Sequence, residues 1–168
     1  MNIMHEVGTI IDSYCNVPVY ENGYMFHVGH GKHYAEDGYY YGQKWQCVEY
    51  VKRFYKQVLA HVMPDGMGHA RSFFDDRFAH GKLNSKRGLV QYYNGGDCMP
   101  KVNDILLFQD TQYGHMGIVT SVTEYVEIIQ QNIVGQSRQK FTLEYDNNGW
   151  LVKAPRIATA WLRLVNNE

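Results

Sequence analysis

The sequence predicts an α+β fold with N-terminal helices packed on a C-terminal antiparallel β-sheet. Three observations carry this. Between Trp45 and about Val62 the apolar residues recur at three- and four-residue steps, the period of a helix. Beyond Gly95-Gly96 the pattern changes to alternation, the period of half-buried strands. No repeat, low-complexity tract or Pro/Gly/Ser linker divides the chain, so residues 1–168 read as a single domain.

Residues 5–44 are rich in Gly, Tyr and His, with short extended stretches at Val7–Ile11 and Pro18–Tyr20. The first helix is marked by Val48, Val51, Phe54, Tyr55, Val58 and Leu59, and it is ended by the turn signal Met63-Pro64-Asp65-Gly66. A second, shorter helix is expected over His69–Phe78, followed by a polar stretch. The expected strands are Asp104–Phe108, His115–Val122, Tyr125–Gln131, Gln139–Tyr145, Trp150–Lys153 and Ala160–Val165.

A hydrophobic content of 45% with 14% aromatics excludes a disordered chain. Tyrosine dominates the aromatics with 14 residues, which favours partly wet surfaces or a cleft over a purely aliphatic core. A net charge of −1 gives no electrostatic case for nucleic acid or an anionic membrane as partner. No apolar run approaches the roughly 20 residues that span a bilayer. Met1–Gly8 lacks a basic flank followed by an apolar segment, so it does not read as a secretory signal. Cys15, Cys47 and Cys98 are too few and too scattered for a disulfide framework. The chain therefore reads as cytoplasmic, or as exported by a route that needs no signal peptide. No cofactor and no obligate protein partner is indicated.

Cys47 lies where a Gly-bearing aromatic loop, Tyr41-Gly-Gln-Lys-Trp-Gln46, gives way to the first helix. A cysteine in a first helical turn has its thiolate favoured by the helix dipole and by free backbone N–H groups. Free cysteines are also among the most buried residues, so the partners must decide. His115 opens a strand after Tyr113-Gly114. If Thr123-Glu124 forms the next turn, Val122 faces Tyr125, Asn132 lies opposite His115, and Gln130 is its diagonal neighbour on the same face. A one-residue slip would set Gln131 or Ile133 there instead. Neutral amides of this kind hold an imidazole in one tautomer, as the third member of a Cys-His site does. Taken singly, a strand-end histidine and a polar edge face have ordinary structural uses. Helix-start cysteine, strand-start histidine and next-strand amide follow one another in the order of papain-like chemistry.

Gly42-Gln-Lys-Trp-Gln-Cys-Val-Glu-Tyr50, Gly114-His-Met-Gly-Ile-Val119 and Ile129-Gln-Gln-Asn132 resemble the motifs of the CHAP family, the cysteine, histidine-dependent amidohydrolases/peptidases of the NlpC/P60 group. Within it the chain is most similar to the amidase domains of glutathionylspermidine synthetase/amidases, from Val7 to Trp161. The resemblance implies a papain-like fold, with Cys47 as nucleophile and His115 as general base. It also implies an oxyanion hole built from Gln46 and the Cys47 backbone N–H. It implies acyl transfer through a thioester, with thiolate–imidazolium pairing bringing the cysteine pKa to roughly 3.5–7.5. The implied substrate is a peptide amide such as glutathionylspermidine. Peptidoglycan stem peptides, or binding without catalysis, are the alternatives. The amidases usually carry Glu where this chain has Gln130; Asn132 matches them and is a second candidate for orienting His115. Asp104 resembles the aspartate of a family Gly-Asp pair and reads as structural.

Other residues carry weaker expectations. Tyr41 and Trp45 are candidates for lining a substrate groove, and Lys52 and Arg53 for binding a substrate carboxylate, with a solvated helix face as the alternative. His27, His30 and His33 have a spacing that zinc sites use, but Gly29 and Gly31 argue against the helix such a site needs. A loop beside the cleft is the expectation, and no metal.

Overall fold

A computed structural model of the chain describes residues 5–165; Met1–Met4, part of the segment read for a leader, lie outside the described residues. Two small antiparallel hairpins come first: β1 (Ile10–Tyr14) with β2 (Val17–Tyr20), and β3 (Lys32–Tyr34) with β4 (Tyr40–Gln43). Helix α1 (Cys47–Leu59) follows, then strands β5 (Lys82–Asn84), β6 (Leu89–Tyr93), β7 (Ile105–Phe108), β8 (His115–Val122), β9 (Tyr125–Ile129), β10 (Arg138–Asp146), β11 (Gly149–Val152) and β12 (Ala160–Arg163). These eight form one antiparallel sheet in the order β11-β10-β9-β8-β7-β12-β6-β5.

The molecule is mostly β-sheet, and α1 is the one α-helix among the described residues, which corrects the expectation of several N-terminal helices. The second helix expected over His69–Phe78 is a single 3₁₀ turn, Ala70–Phe73. Its backbone carbonyls are taken by side chains reaching in from β5, β6 and the turn between them. Asn84 Nδ2 donates to Phe73 O at 3.0 Å, Arg87 Nη2 to Ser72 O at 3.1 Å, and Gln91 Nε2 to Asp75 O at 2.8 Å and Phe78 O at 3.2 Å. Those bonds replace the helical ladder. Strands β5 and β6 themselves lie in the stretch that read only as polar.

α1 ends at Leu59, where Ala60 turns left-handed and donates its N–H to Tyr55 O. Every residue from Glu49 to Tyr55 is buried, because β2 and β4 cover one side of the helix and β8 the other. Val51 and Phe54 join Leu107, Met116 and Ile118 in one core cluster. Leu106, Phe108, Val119, Phe141 and Trp161 form a second cluster on the opposite sheet face. Alternation along β7 and β8 assigns each residue to its face. No helix among the described residues is long and apolar enough to cross a membrane.

Candidate active site

Cys47 is the first residue of α1, half-buried, and packed against the core cluster that contains Met116. The backbone N–H groups of Met116, Val48 and Cys47 itself favour its thiolate, and Met116 lies in β8 one residue beyond His115. Burial nevertheless pushes the Cys47 pKa up to about 11, against the pull of those amides. The expectation of a depressed cysteine pKa is thereby corrected: the desolvated thiol favours its neutral form.

His115 is 6% exposed, and its Nε2 lies 2.8 Å from Gln130 Oε1. The amide nitrogen of Gln130 is committed elsewhere, donating to Gln136 O at 2.9 Å and Gln139 Oε1 at 3.3 Å. Only the oxygen of Gln130 is left for the imidazole, so Nε2 carries the proton and Nδ1 keeps its lone pair. Burial lowers the His115 pKa to about 4, opposed by the Gln130 hydrogen bond. Gly114, with φ at +71°, sets the turn into β8; a Cβ there would come within 2.6 Å of Arg71 N.

The β8–β9 register pairs Ile118 with Ile129 and Val119 with Ile128, then shifts by one residue at a bulge, so Val122 faces Val126 rather than Tyr125. β9 ends at Ile129, and Asn132, left-handed at φ +70°, does not lie opposite His115. Its Nδ2 donates to Gln46 Oε1 at 2.8 Å and to Phe26 O at 2.8 Å, and its Oδ1 accepts from Asn22 Nδ2 at 2.8 Å. Asn132 therefore holds Gln46, not the imidazole. Gln46 Nε2 donates to Val28 O at 3.1 Å, and its second N–H has no partner among the described residues.

Gln131, weighed from the sequence only as a slipped-register partner of His115, is 1% exposed and ties the start of α1 to the end of β9. Its Nε2 donates to Gln46 O at 2.8 Å and Glu49 Oε1 at 2.9 Å, and its Oε1 accepts from Tyr20 N at 2.9 Å. Glu49 also accepts from Arg53 Nε at 2.7 Å and Nη2 at 3.1 Å, and pairs with His33 Nδ1 at 2.9 Å. Burial alone would raise the Glu49 pKa, but its His33 and Arg53 partners hold it below the usual carboxylate range. Only the adjacency of two glutamines in sequence hinted at this second tether.

Arg53 and Lys52 correct the expectation of a carboxylate-binding pair and of a solvated face. Arg53 is 2% exposed, locked on Glu49, with Nη1 on Pro18 O at 2.8 Å. Lys52 is equally buried; its Nζ donates to Gly66 O at 3.0 Å and lies 5.0 Å from the Tyr39 ring centroid. Burial drops the Lys52 pKa to about 8. Tyr41 is buried against His33, while Trp45 is half-buried with its ring centroid 4.1 Å from that of Tyr20. His30 is turned to Asn22 O at 3.1 Å and His33 to Glu49, and among the described residues no three His, Cys, Asp or Glu side chains converge as a metal set. Asp104 is bound by Arg163 through two contacts of 2.8 Å, next to a cavity of about 210 Å³ lined by Tyr55, Leu59 and Lys101, away from Cys47.

The chain is thus a mostly β-sheet domain with one α-helix among the described residues, a cysteine at the start of that helix and a histidine, held by the Gln130 amide, at the start of β8. The chain belongs to the CHAP domain family, a family of hydrolase domains: the family model matches residues 37–132, from before Cys47 to Asn132. The family implies a papain-like fold. The chain is 33% identical over 106 residues to the bifunctional glutathionylspermidine synthetase/amidase of Escherichia coli (strain K12), covering 58% of this chain and 17% of that protein. The Shigella flexneri protein of the same name gives the same figures. Trypanothione synthetase of Crithidia fasciculata is 25% identical over 121 residues, covering 70% of this chain and 18% of that protein. The chain thus spans less than a fifth of the length of these relatives.

Proposed function

We propose that the protein is a cysteine amidohydrolase that cleaves an amide or peptide bond through a Cys47 thioester. The carrying observation is the tautomer fixed by Gln130. His115 offers an unprotonated Nδ1, and it adjoins Met116, the β8 residue whose backbone amide favours the Cys47 thiolate. Both groups rest neutral, so His115 takes the thiol proton as Sγ attacks the carbonyl carbon, rather than holding a preformed ion pair. The Cys47 backbone N–H and the unpartnered N–H of Gln46 stabilise the oxyanion, with Asn132 and Val28 O fixing the Gln46 amide. Collapse expels the amine, which takes the proton from His115. The same imidazole then activates water against the thioester.

For the substrate we infer a γ-glutamyl-cysteinyl-glycine–polyamine amide such as glutathionylspermidine. The likeness to the synthetase/amidases supports it. Cys47→Ala should lower hydrolysis by about three orders of magnitude or more with an unchanged circular dichroism spectrum. Incubation with glutathionylspermidine and with purified peptidoglycan sacculi in parallel distinguishes the substrates. Release of neither spermidine nor muropeptides by the wild type, or substantial turnover by Cys47→Ala, would overturn this reading.

A further inference from the structure

We propose that Arg156 is an anion-recognition residue of this site, placed to receive a carboxylate carried by the substrate. Arg156 lies beyond the segment matched by the family model and was not singled out from the sequence. Phe108 and His115 are directly paired across β7 and β8, so both side chains stand on one face of the sheet. Their rings lie 6.1 Å apart at 27°. The Arg156 guanidinium sits 4.5 Å from the centroid of the Phe108 ring, which itself neighbours His115. Its Nε donates to Asp110 Oδ2 at 2.8 Å, and Nη2 to Asp110 Oδ1. The Nη1 hydrogens have no partner among the described residues, and the side chain is 22% exposed, so a donor edge of the fork is open to a ligand.

The charge is felt in the site. Burial dominates at both Cys47 and His115, but the positive charge of Arg156 pulls each pKa down, while Asp110 pulls that of His115 up. Arg156 thus favours anions beside Cys47, and Asp110 is its resting counter-charge. A guanidinium fork matches a carboxylate in geometry as well as charge. Lys52 and Arg53, the two cations expected from the sequence to bind a carboxylate, are instead buried on internal partners.

The substrate part of the proposal rests on Cys47 being the nucleophile of an amidase; the charge part does not. Cys47 is therefore alkylated at mildly alkaline pH with iodoacetate, an anion, and with iodoacetamide, its neutral counterpart. Peptide mapping follows each cysteine, with Cys15 and Cys98 as internal controls. The iodoacetate-to-iodoacetamide rate ratio at Cys47 should fall about fivefold in Arg156→Gln and rise in Asp110→Asn, with the controls unchanged. A ratio unmoved by both variants overturns the proposal, and the opposite signs of the two effects separate charge from damage to the fold. With glutathionylspermidine, Arg156→Gln should raise KM about tenfold, but leave KM unchanged for the analogue whose γ-glutamyl carboxylate is amidated. Equal effects on both substrates overturn carboxylate recognition. If the wild type cleaves neither, the amidase reading fails while the alkylation ratio still decides the role of Arg156.

Discussion

A neutral amide beside His115 leaves an imidazolium with no counter-charge in contact, so burial dominates and takes the pKa down to about 4. Gln130 fits its surroundings better than a carboxylate would, because its Nε2 faces the Gln136 carbonyl, which can only accept. Gln130→Glu would set a carboxylate oxygen against that carbonyl and cost stability, while giving the imidazolium a partner. The His115 pKa then rises and the base stays protonated to higher pH. The acid limb of kcat/KM should move up by about one to three pH units, as read from a pH–rate profile. An unshifted limb would show that His115 is not the titrating base. Gln130 was expected beside His115 from a hairpin register with Val122 facing Tyr125; that pairing differs in the structure, yet Gln130 still meets the imidazole. The course of Asn132 was not legible, because β9 ends at Ile129 and a left-handed backbone sends its amide to Gln46.

At the scale of elements, the start of α1 is tethered to the end of β9 by side chains that sequence patterning treats as ordinary polar residues. Glu49, Arg53 and Gln131 are all buried and mutually satisfied. Glu49→Ala would leave the Arg53 guanidinium buried without its carboxylate, and should cost about 3–5 kcal/mol in urea unfolding. A loss below about 1 kcal/mol would mean that the network does not hold the helix. The contact between β8 and β9 is as close: a Cβ on Gly117 would come within 2.8 Å of Ile129 O and 3.4 Å of the Gln130 Cβ. Gly117→Ala should therefore destabilise by about 1–3 kcal/mol and lower kcat by loosening the His115–Gln130 contact. Urea unfolding and steady-state kinetics on the same preparation check both effects. Helix period marked α1 within a few residues. The turn at Ala70–Phe73 escaped the same reading because Asn84 and Arg87, distant in sequence, take its carbonyls, and Gln91 takes those of Asp75 and Phe78 just beyond it.

At the scale of the whole molecule, the site draws on the first hairpin, α1, β8 and the chain beyond β11, and its burial couples charge to stability. His115 titrates near its ordinary 6.5 when unfolded and at about 4 when folded. As pH falls between those values the unfolded chain takes up the proton first. This contribution is whole above about pH 6.5 and is lost by about pH 4, a difference of about 3 kcal/mol. His115→Gln should lack that loss over the same window when urea unfolding is measured against pH. Period, turn residues and the segment around Cys47 determined by themselves α1, the strands β7 to β12 and the identity of Cys47, His115 and Gln130 as candidates, because these depend on neighbours a few residues away. Tertiary structure alone decided that Lys52 and Arg53 point inward, that Asn132 serves Gln46, and that Arg156 reaches the His115 face. Each of these depends on which distant chain buries or meets the side chain, and no local pattern encodes that.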